Sequence, residues 1–111
     1  MSSLTALTTL NLSFCNVSDE VLRALNSLPA LTELYLAGCL NVTDVGLQEL
    51  IPLTALTTLH LADCPNVSSE GLQTLRSLTA LTSLYLGGCN KVSAAAKQAL
   101  RTAIPNLTIY G

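Results

Sequence analysis

The residues of this 111-residue chain with the most chemistry to offer are four cysteines, Cys15, Cys39, Cys64 and Cys89, and one histidine, His60. Four cysteines could form two disulfides or, with histidines, hold zinc. Their spacing argues for neither: the steps from 15 to 39, 39 to 64 and 64 to 89 are 24, 25 and 25 residues. Zinc ligands cluster within a few residues of one another, and a single histidine cannot supply the usual second pair. A regular interval instead marks an internal repeat, with one buried free thiol expected in each unit.

His60 is the only side chain suited to act as a base near neutral pH. Cys64 follows it by four residues but is assigned to the buried ladder, and no other nucleophile stands where His60 could activate it. Gly87-Gly88 occupies the turn filled elsewhere by Ser13-Phe14, Ala37-Gly38 and Ala62-Asp63, so these are turn glycines and not a phosphate-binding loop. No enzyme activity, metal or cofactor is expected. Five Asn-x-Ser/Thr triplets begin at Asn11, Asn16, Asn41, Asn66 and Asn106. Three of them share one position, Asn-Val-Ser/Thr ahead of a helix, and are read as turn chemistry rather than glycan acceptors.

The elements that position these residues follow from the repeat. Aligned on the cysteines, the chain divides into units 3–26, 27–51, 52–76 and 77–101 and a partial fifth at 102–111, together one domain over 1–111. Each unit opens Leu-x-Ala-Leu-Thr-x-Leu-x-Leu, nearly identical in Leu53–Leu61 and Leu78–Leu86. The pairs Leu10/Leu12, Leu34/Leu36, Leu59/Leu61 and Leu84/Leu86 have the period of a strand with alternate side chains inward. After each cysteine comes a turn, and then Ser18, Thr43, Ser68 or Ser93 at the position of a helix N-cap. Asp19, Glu20, Asp44 and Glu70 put negative charge on the first turn, where the helix dipole favours it. Leu22/Leu25, Leu47/Leu50 and Leu72/Leu75 then form a narrow apolar stripe. One strand and one short helix cannot bury these leucines alone, so the units must stack, strands in a parallel sheet and helices outside. Helices are wider than strands, so the stack curves with the sheet on its concave side.

The pattern L-x-x-L-x-L-x-x-C followed by N-V-[ST]-[DS]-x-x-L-x-x-L resembles the cysteine-containing subtype of leucine-rich repeats, best known from the substrate-receptor arm of F-box ubiquitin-ligase subunits. The resemblance covers essentially the whole chain and implies an α/β solenoid. It also implies that Cys15, Cys39, Cys64 and Cys89 fill the ladder position that asparagine takes in other leucine-rich repeats. The second cysteine common in that subtype is replaced here by Leu-Thr/Pro-Ala-Leu, and no F-box-like segment precedes the array, so the ligase role is not carried over. Near-identity among the copies suits recent duplication or a designed array.

Composition bounds the partners. Twenty-five of the residues are leucine and 50% are hydrophobic, yet Thr, Ser or Asn interrupts every apolar run, so no membrane span is expected. The net charge is −2 and the five cations, Arg23, Arg76, Lys91, Lys97 and Arg101, are scattered, so no nucleic acid is expected. Met1-Ser2-Ser3-Leu4 has no basic start or apolar run of a secretory signal, which with free buried cysteines suggests the cytoplasm.

The first unit begins without a capping element, and the strand edge at Leu7–Leu12 is expected to be bare. Two such edges meeting across a two-fold axis would close a homodimer, the arrangement favoured here over indefinite end-to-end stacking. At the other end Lys97 replaces the stripe leucine, Ala94-Ala95-Ala96 replaces the acidic first turn, and Leu107–Tyr110 is expected to add a last strand. Lys97 is expected to be a solvated end-of-array residue.

What varies on a constant frame is free to make contacts. Along the exposed strand face the series are Thr9, Glu33, Thr58, Ser83, then Asn11, Tyr35, His60, Tyr85, then Ser13, Ala37, Ala62, Gly87. With equivalent positions about 4.8 Å apart in adjacent strands, Tyr35, His60 and Tyr85 form an amphipathic strip, with Glu33 and Asp63 nearby. Such a strip suits a protein or peptide partner.

Overall fold

In a computed structural model that describes residues 7–28 and 30–111, the repeat frame becomes a single five-stranded sheet. The strands are β1 (Thr9–Asn11), β2 (Glu33–Tyr35), β3 (Thr58–His60), β4 (Ser83–Tyr85) and β5 (Thr108–Tyr110). They lie in chain order, every pair parallel. Four helices alternate with them: α1 (Asp19–Ala24), α2 (Asp44–Gln48), α3 (Ser69–Thr74) and α4 (Ala94–Ala103), with 3-10 turns extending α1 and α3. Leu4, Thr5 and Ala6, in the opening stretch of the first unit, lie outside the described residues.

β2, β3 and β4 are each three residues long, one inward leucine between two outward residues, and the second leucine of each Leu-x-Leu pair is buried just beyond the strand's end. Leu34, Leu59 and Leu84 are fully buried, and the stripe leucines Leu22, Leu47 and Leu72 are buried in the same core. Every buried hydrophobic belongs to one continuous core, and no polar or charged residue is buried as a whole among the described residues.

Strand pairing alone spans few residues, and three side-chain ladders extend the contact between units. Thr32, Thr57 and Thr82 each donate their hydroxyl to the carbonyl of the threonine one repeat earlier, at 3.1, 3.1 and 3.2 Å. Cys39, Cys64 and Cys89 donate their thiols to Leu12, Leu36 and Leu61 carbonyls at 3.2, 3.1 and 2.9 Å. The third ladder runs through the helix starts. Asp19 accepts from the Thr43 amide and hydroxyl at 3.3 and 2.8 Å, and Asp44 accepts from the Ser68 amide at 2.8 Å and from its hydroxyl. Ser69 takes the same place and accepts from the Ser93 amide at 2.9 Å.

Two expectations change here. Ser18, Thr43, Ser68 and Ser93 do stand at the N-caps, but only Thr43 and Ser93 accept a bond from their own helix. Ser68 turns its hydroxyl to Asp44, so the first-turn aspartates act as inter-repeat acceptors as well as dipole partners. The carboxylates also explain two buried glycines. A Cβ on Gly46 or Gly71 would strike the Asp19 or Asp44 carboxylate of the preceding unit, whereas the same position facing the smaller Ser69 is Ala96.

A buried thiol in every unit is also corrected. Cys39, Cys64 and Cys89 are buried but Cys15 is exposed, because burial at this position comes from the preceding unit and no described residue covers the first. At the other end Lys97 is not simply solvated. It is half-buried and its ammonium donates to the Gly111 carbonyl at 2.6 Å, tying α4 to the end of β5.

Candidate functional site

Period-2 alternation turns one residue of each pair out of the sheet, and parallel in-register pairing places those residues in columns. Asn11, Tyr35, His60, Tyr85 and Tyr110 are consecutive partners in one column, and Thr9, Glu33, Thr58, Ser83 and Thr108 in the next. Both run across the face opposite the helices.

The rings of the first column pack against one another. Tyr35 and His60 have centroids 6.1 Å apart and are tilted by 44°, whereas His60 to Tyr85 and Tyr85 to Tyr110 are stacked at 4.6 and 4.5 Å, each 12° from parallel. These separations are those of offset aromatic pairs, and they follow from the spacing of strands in a sheet. The stack therefore presents a ridge of ring edges and polar tips. The Tyr35 hydroxyl donates to Glu33 Oε1 at 2.5 Å. That bond favours the protonated phenol beside a carboxylate, so the Tyr35 pKa is raised above its usual value. His60 Nδ1 is buried in the ridge and has no hydrogen-bond partner among the described residues.

Of the predicted positions, Glu33, Tyr35, Thr58, His60, Ser83 and Tyr85 come together on this face. Thr9 and Asn11 occupy its first strand and are exposed, and Asn11 turns its side-chain carbonyl to the Ser13 amide at 3.0 Å, serving the turn. Asp63 stands apart: it is in the turn after β3 with φ at +59°, at the rim of the sheet. Tyr110 completes the ridge and is absent from the predicted set, although it follows Tyr85 by the same 25 residues that separate Tyr85 from His60.

A second feature lies on the rim where strands turn toward helices. Phe14 is 80% exposed and Leu40 62%, and with Cys15, Asn16, Gly38 and Asn41 they line a shallow depression of about 250 Å³. Nothing in the repeat pattern singles them out, because Phe14 and Leu40 occupy frame positions filled elsewhere by turn residues. Among the described residues no group of three or more His, Cys, Asp or Glu side chains is placed to hold a metal ion, and no helix is long and apolar enough to cross a membrane.

The repeat pattern has counterparts in known proteins. A family model described as leucine-rich repeats in two copies matches residues 5–52, and a single leucine-rich-repeat model continues the match over 53–75. The chain is a leucine-rich-repeat protein. No curated protein matches it significantly in sequence. Among solved structures, internalin C2 from Listeria monocytogenes aligns over 98% of this chain and 43% of its own length, at 21% identity and a TM-score of 0.74. A leucine-rich-repeat protein from Leptospira interrogans covers 97% of this chain and 38% of its own, at 19% identity and a TM-score of 0.53. The internalin InlF from L. monocytogenes covers 98% and 42%, at 17% identity and a TM-score of 0.52. The leucine-rich-repeat chain thus spans less than half the length of each of these structures, and at such identities the likeness is one of fold. Membership of this family and the solenoid fold support a protein-interaction repeat module.

Proposed function

We propose that this leucine-rich-repeat array is a non-catalytic binding module that docks a protein or peptide across its concave sheet face. The observation that carries the reading is the unbroken ridge Tyr35, His60, Tyr85 and Tyr110, built from variable residues on an otherwise constant frame. Tyrosine and histidine bring apolar area, few rotatable bonds and hydrogen-bonding tips, the properties enriched where proteins meet. Glu33 at one end of the ridge adds a carboxylate that orients Tyr35 and is available to a donor on the partner.

The test is a pair of variants compared with the unmodified chain. Tyr35→Ala with Tyr85→Ala should keep the far-UV spectrum and cooperative melting yet lose a partner that the unmodified chain retains. Capture of the same partner at undiminished affinity by the folded double variant would sink the reading.

A second reading, a unit that assembles through its sheet edges, is supported by β1, whose only strand partner among the described residues is β2. An unpaired edge offers free backbone groups to another strand. If edge pairing operates, Thr9→Lys should lower the mass of the particle in solution. An unchanged mass would remove this reading while leaving the first intact.

A further inference from the structure

The strands carry almost no charge. Glu33 is the only Asp, Glu, Lys or Arg on any of the five, and Asp63 adds a second acid at the rim, in the turn after β3. All five cations of the chain lie elsewhere: Arg23 on α1, Arg76 in the turn after α3, Lys91 between β4 and α4, and Lys97 and Arg101 on α4. Among the described residues the single ion pair joins Arg23 to Glu49, so Glu33 has no cationic partner there. Its carboxylate is half-buried and accepts one hydrogen bond, from the Tyr35 hydroxyl to Oε1. That bond fixes the group beside the ring and leaves Oε2 without a donor among the described residues. A half-buried carboxylate held in place but unpaired bears a desolvation cost that a cation would offset. Tyr35 is incomplete in the same direction. His60 and Tyr85 have a ring on either side, whereas Tyr35 has only His60. On its other side its partner in β1 is Asn11, whose side chain is turned to the Ser13 amide. Tyr110 is the opposite end of the ridge, but the residue beside it, where Glu33 stands beside Tyr35, is Thr108. Only one end of the ridge joins an uncovered ring to a carboxylate.

We propose that the peptide docked on the sheet face presents an arginine to the Tyr35 end of the ridge, its guanidinium paired with the Glu33 carboxylate and laid against the uncovered side of the Tyr35 ring. This rests on the reading of the sheet face as the docking surface and names the chemistry of what docks there. A guanidinium suits both groups at once: its planar fork donates to a carboxylate, and the same plane is attracted to an aromatic face. A lysine ammonium supplies the charge without the plane and gives up its water less readily. No lysine or arginine on the strands opposes the incoming cation, whereas an acidic side chain at this end would meet Glu33 with nothing to balance it. Once the peptide covers the pair, water no longer screens it, so the contact counts for more than an exposed ion pair does.

The deciding experiment selects binders of the full chain from a randomised peptide library displayed on phage, then measures the selected peptides by titration calorimetry. Peptides sharing one arginine are expected, with affinity lost in the folded Tyr35→Ala, Tyr85→Ala double variant. Replacing that arginine by citrulline, which keeps the shape and removes the charge, should weaken binding by roughly tenfold, and lysine should fall between the two. Glu33→Gln keeps an acceptor for the Tyr35 hydroxyl and removes only the charge. It should weaken the arginine peptide by a similar factor of about ten and leave the citrulline peptide within about twofold, the coupling that a direct pair produces. Peptides that need the ridge but share no arginine overturn the inference and leave the sheet-face reading standing. So does an arginine peptide bound equally well by Glu33→Gln. A selection that yields no peptide, or only peptides indifferent to the Tyr35→Ala, Tyr85→Ala pair, overturns both.

Discussion

Cys15 and Cys64 stand at the same point of the same repeat frame, yet their surroundings differ in every respect that controls a thiol. Cys64 is fully buried, donates to the Leu36 carbonyl at 3.1 Å, and has its pKa pushed up to about 11, first by burial, which disfavours the thiolate. Cys15 is exposed. The frame position does not confer the properties; the preceding unit does, by covering the side chain and presenting the carbonyl. The same contrast runs through the first and third units: Leu10 is half-buried where Leu59 has no exposure, and Val21 is exposed where Gly71 is buried. A repeat in this array is therefore completed by its neighbour.

The largest expected consequence is in thiol reactivity. Cys15 should react with a disulfide reagent at the rate of a free cysteine, while Cys39, Cys64 and Cys89 should wait for the array to open. Opening against about 4–5 kcal/mol slows them by about a thousandfold or more. Stopped-flow labelling, with Cys15→Ser to identify the fast phase, checks this. Four fast thiols would break the comparison. The same thiols set an alkaline limit. Burial raises the pKa of Cys39, Cys64 and Cys89 in the folded chain, so above pH 9 the unfolded chain loses these protons while the folded chain keeps them. Their contribution to stability is complete below the unfolded value and is lost as pH rises through the folded ones, toward about 11 for Cys64. Urea unfolding at pH 8 and pH 10.5 should show lower stability at the higher pH, with the difference reduced in Cys64→Ala relative to its own pH 8 value.

Core truncation sharpens the contrast next. Leu59→Ala removes a side chain packed on all sides and should cost about 2–4 kcal/mol. Leu10→Ala, at the same frame position but half-buried, should cost about half as much. Equal costs, measured by urea unfolding, would mean that the first unit is as fully supported as the third.

The glycines give a smaller and more specific effect. Gly71→Ala places a methyl against the Asp44 carboxylate and within 3.1 Å of its Cα, and should cost about 1–3 kcal/mol. Adding Asp44→Ser reproduces the pairing already present between Ser69 and Ala96 and should recover much of that loss. If the double variant is no more stable than Gly71→Ala, the glycine is not there to accommodate the carboxylate.

The parts of this architecture visible in one chain were those with a local period. Leu-x-Leu marks a strand because side chains alternate every two residues, and the recurrence of Leu22/Leu25 marks a helix stripe for the same kind of reason. The column Tyr35, His60, Tyr85 follows from those periods once the strands are in register. Tyr110 obeys the same spacing, but the leucines around it slip: Leu107 is one residue nearer to Ile109 than Leu81 is to Leu84, which hides the register. The threonine ladder escaped notice for a different reason. Each hydroxyl answers to a backbone carbonyl in another unit, and a carbonyl has no letter in the sequence. Cys15 departs from the buried thiols because identical frame positions need not have identical environments: no described residue of a preceding unit covers it. The partner leaves no internal mark at all, since its contacts lie off the chain.

The smallest effect concerns the turn that follows each strand. Phe14, Gly38, Asp63 and Gly88 share this position, and all four have positive φ, at +61°, +71°, +59° and +83°. Glycine takes this conformation freely and aspartate tolerates it, but a bulky side chain is strained there. Phe14 gains no burial in return, being 80% exposed, and its ring lies where a Cβ on Gly38 would approach Cδ1 to 2.5 Å. Phe14→Gly relieves the strain but frees the unfolded chain, two opposing terms that should leave the variant more stable by about 0.5–1 kcal/mol. Gly38→Ala, which meets both the positive φ and the ring, should destabilise by a larger amount, and the loss should shrink when Phe14→Gly is also present. A shift of the thermal midpoint downward in Phe14→Gly would show that the ring stabilises the rim more than its backbone strains it. The first unit would then hold itself together by a contact that the interior units, with glycine or aspartate at this position, do without.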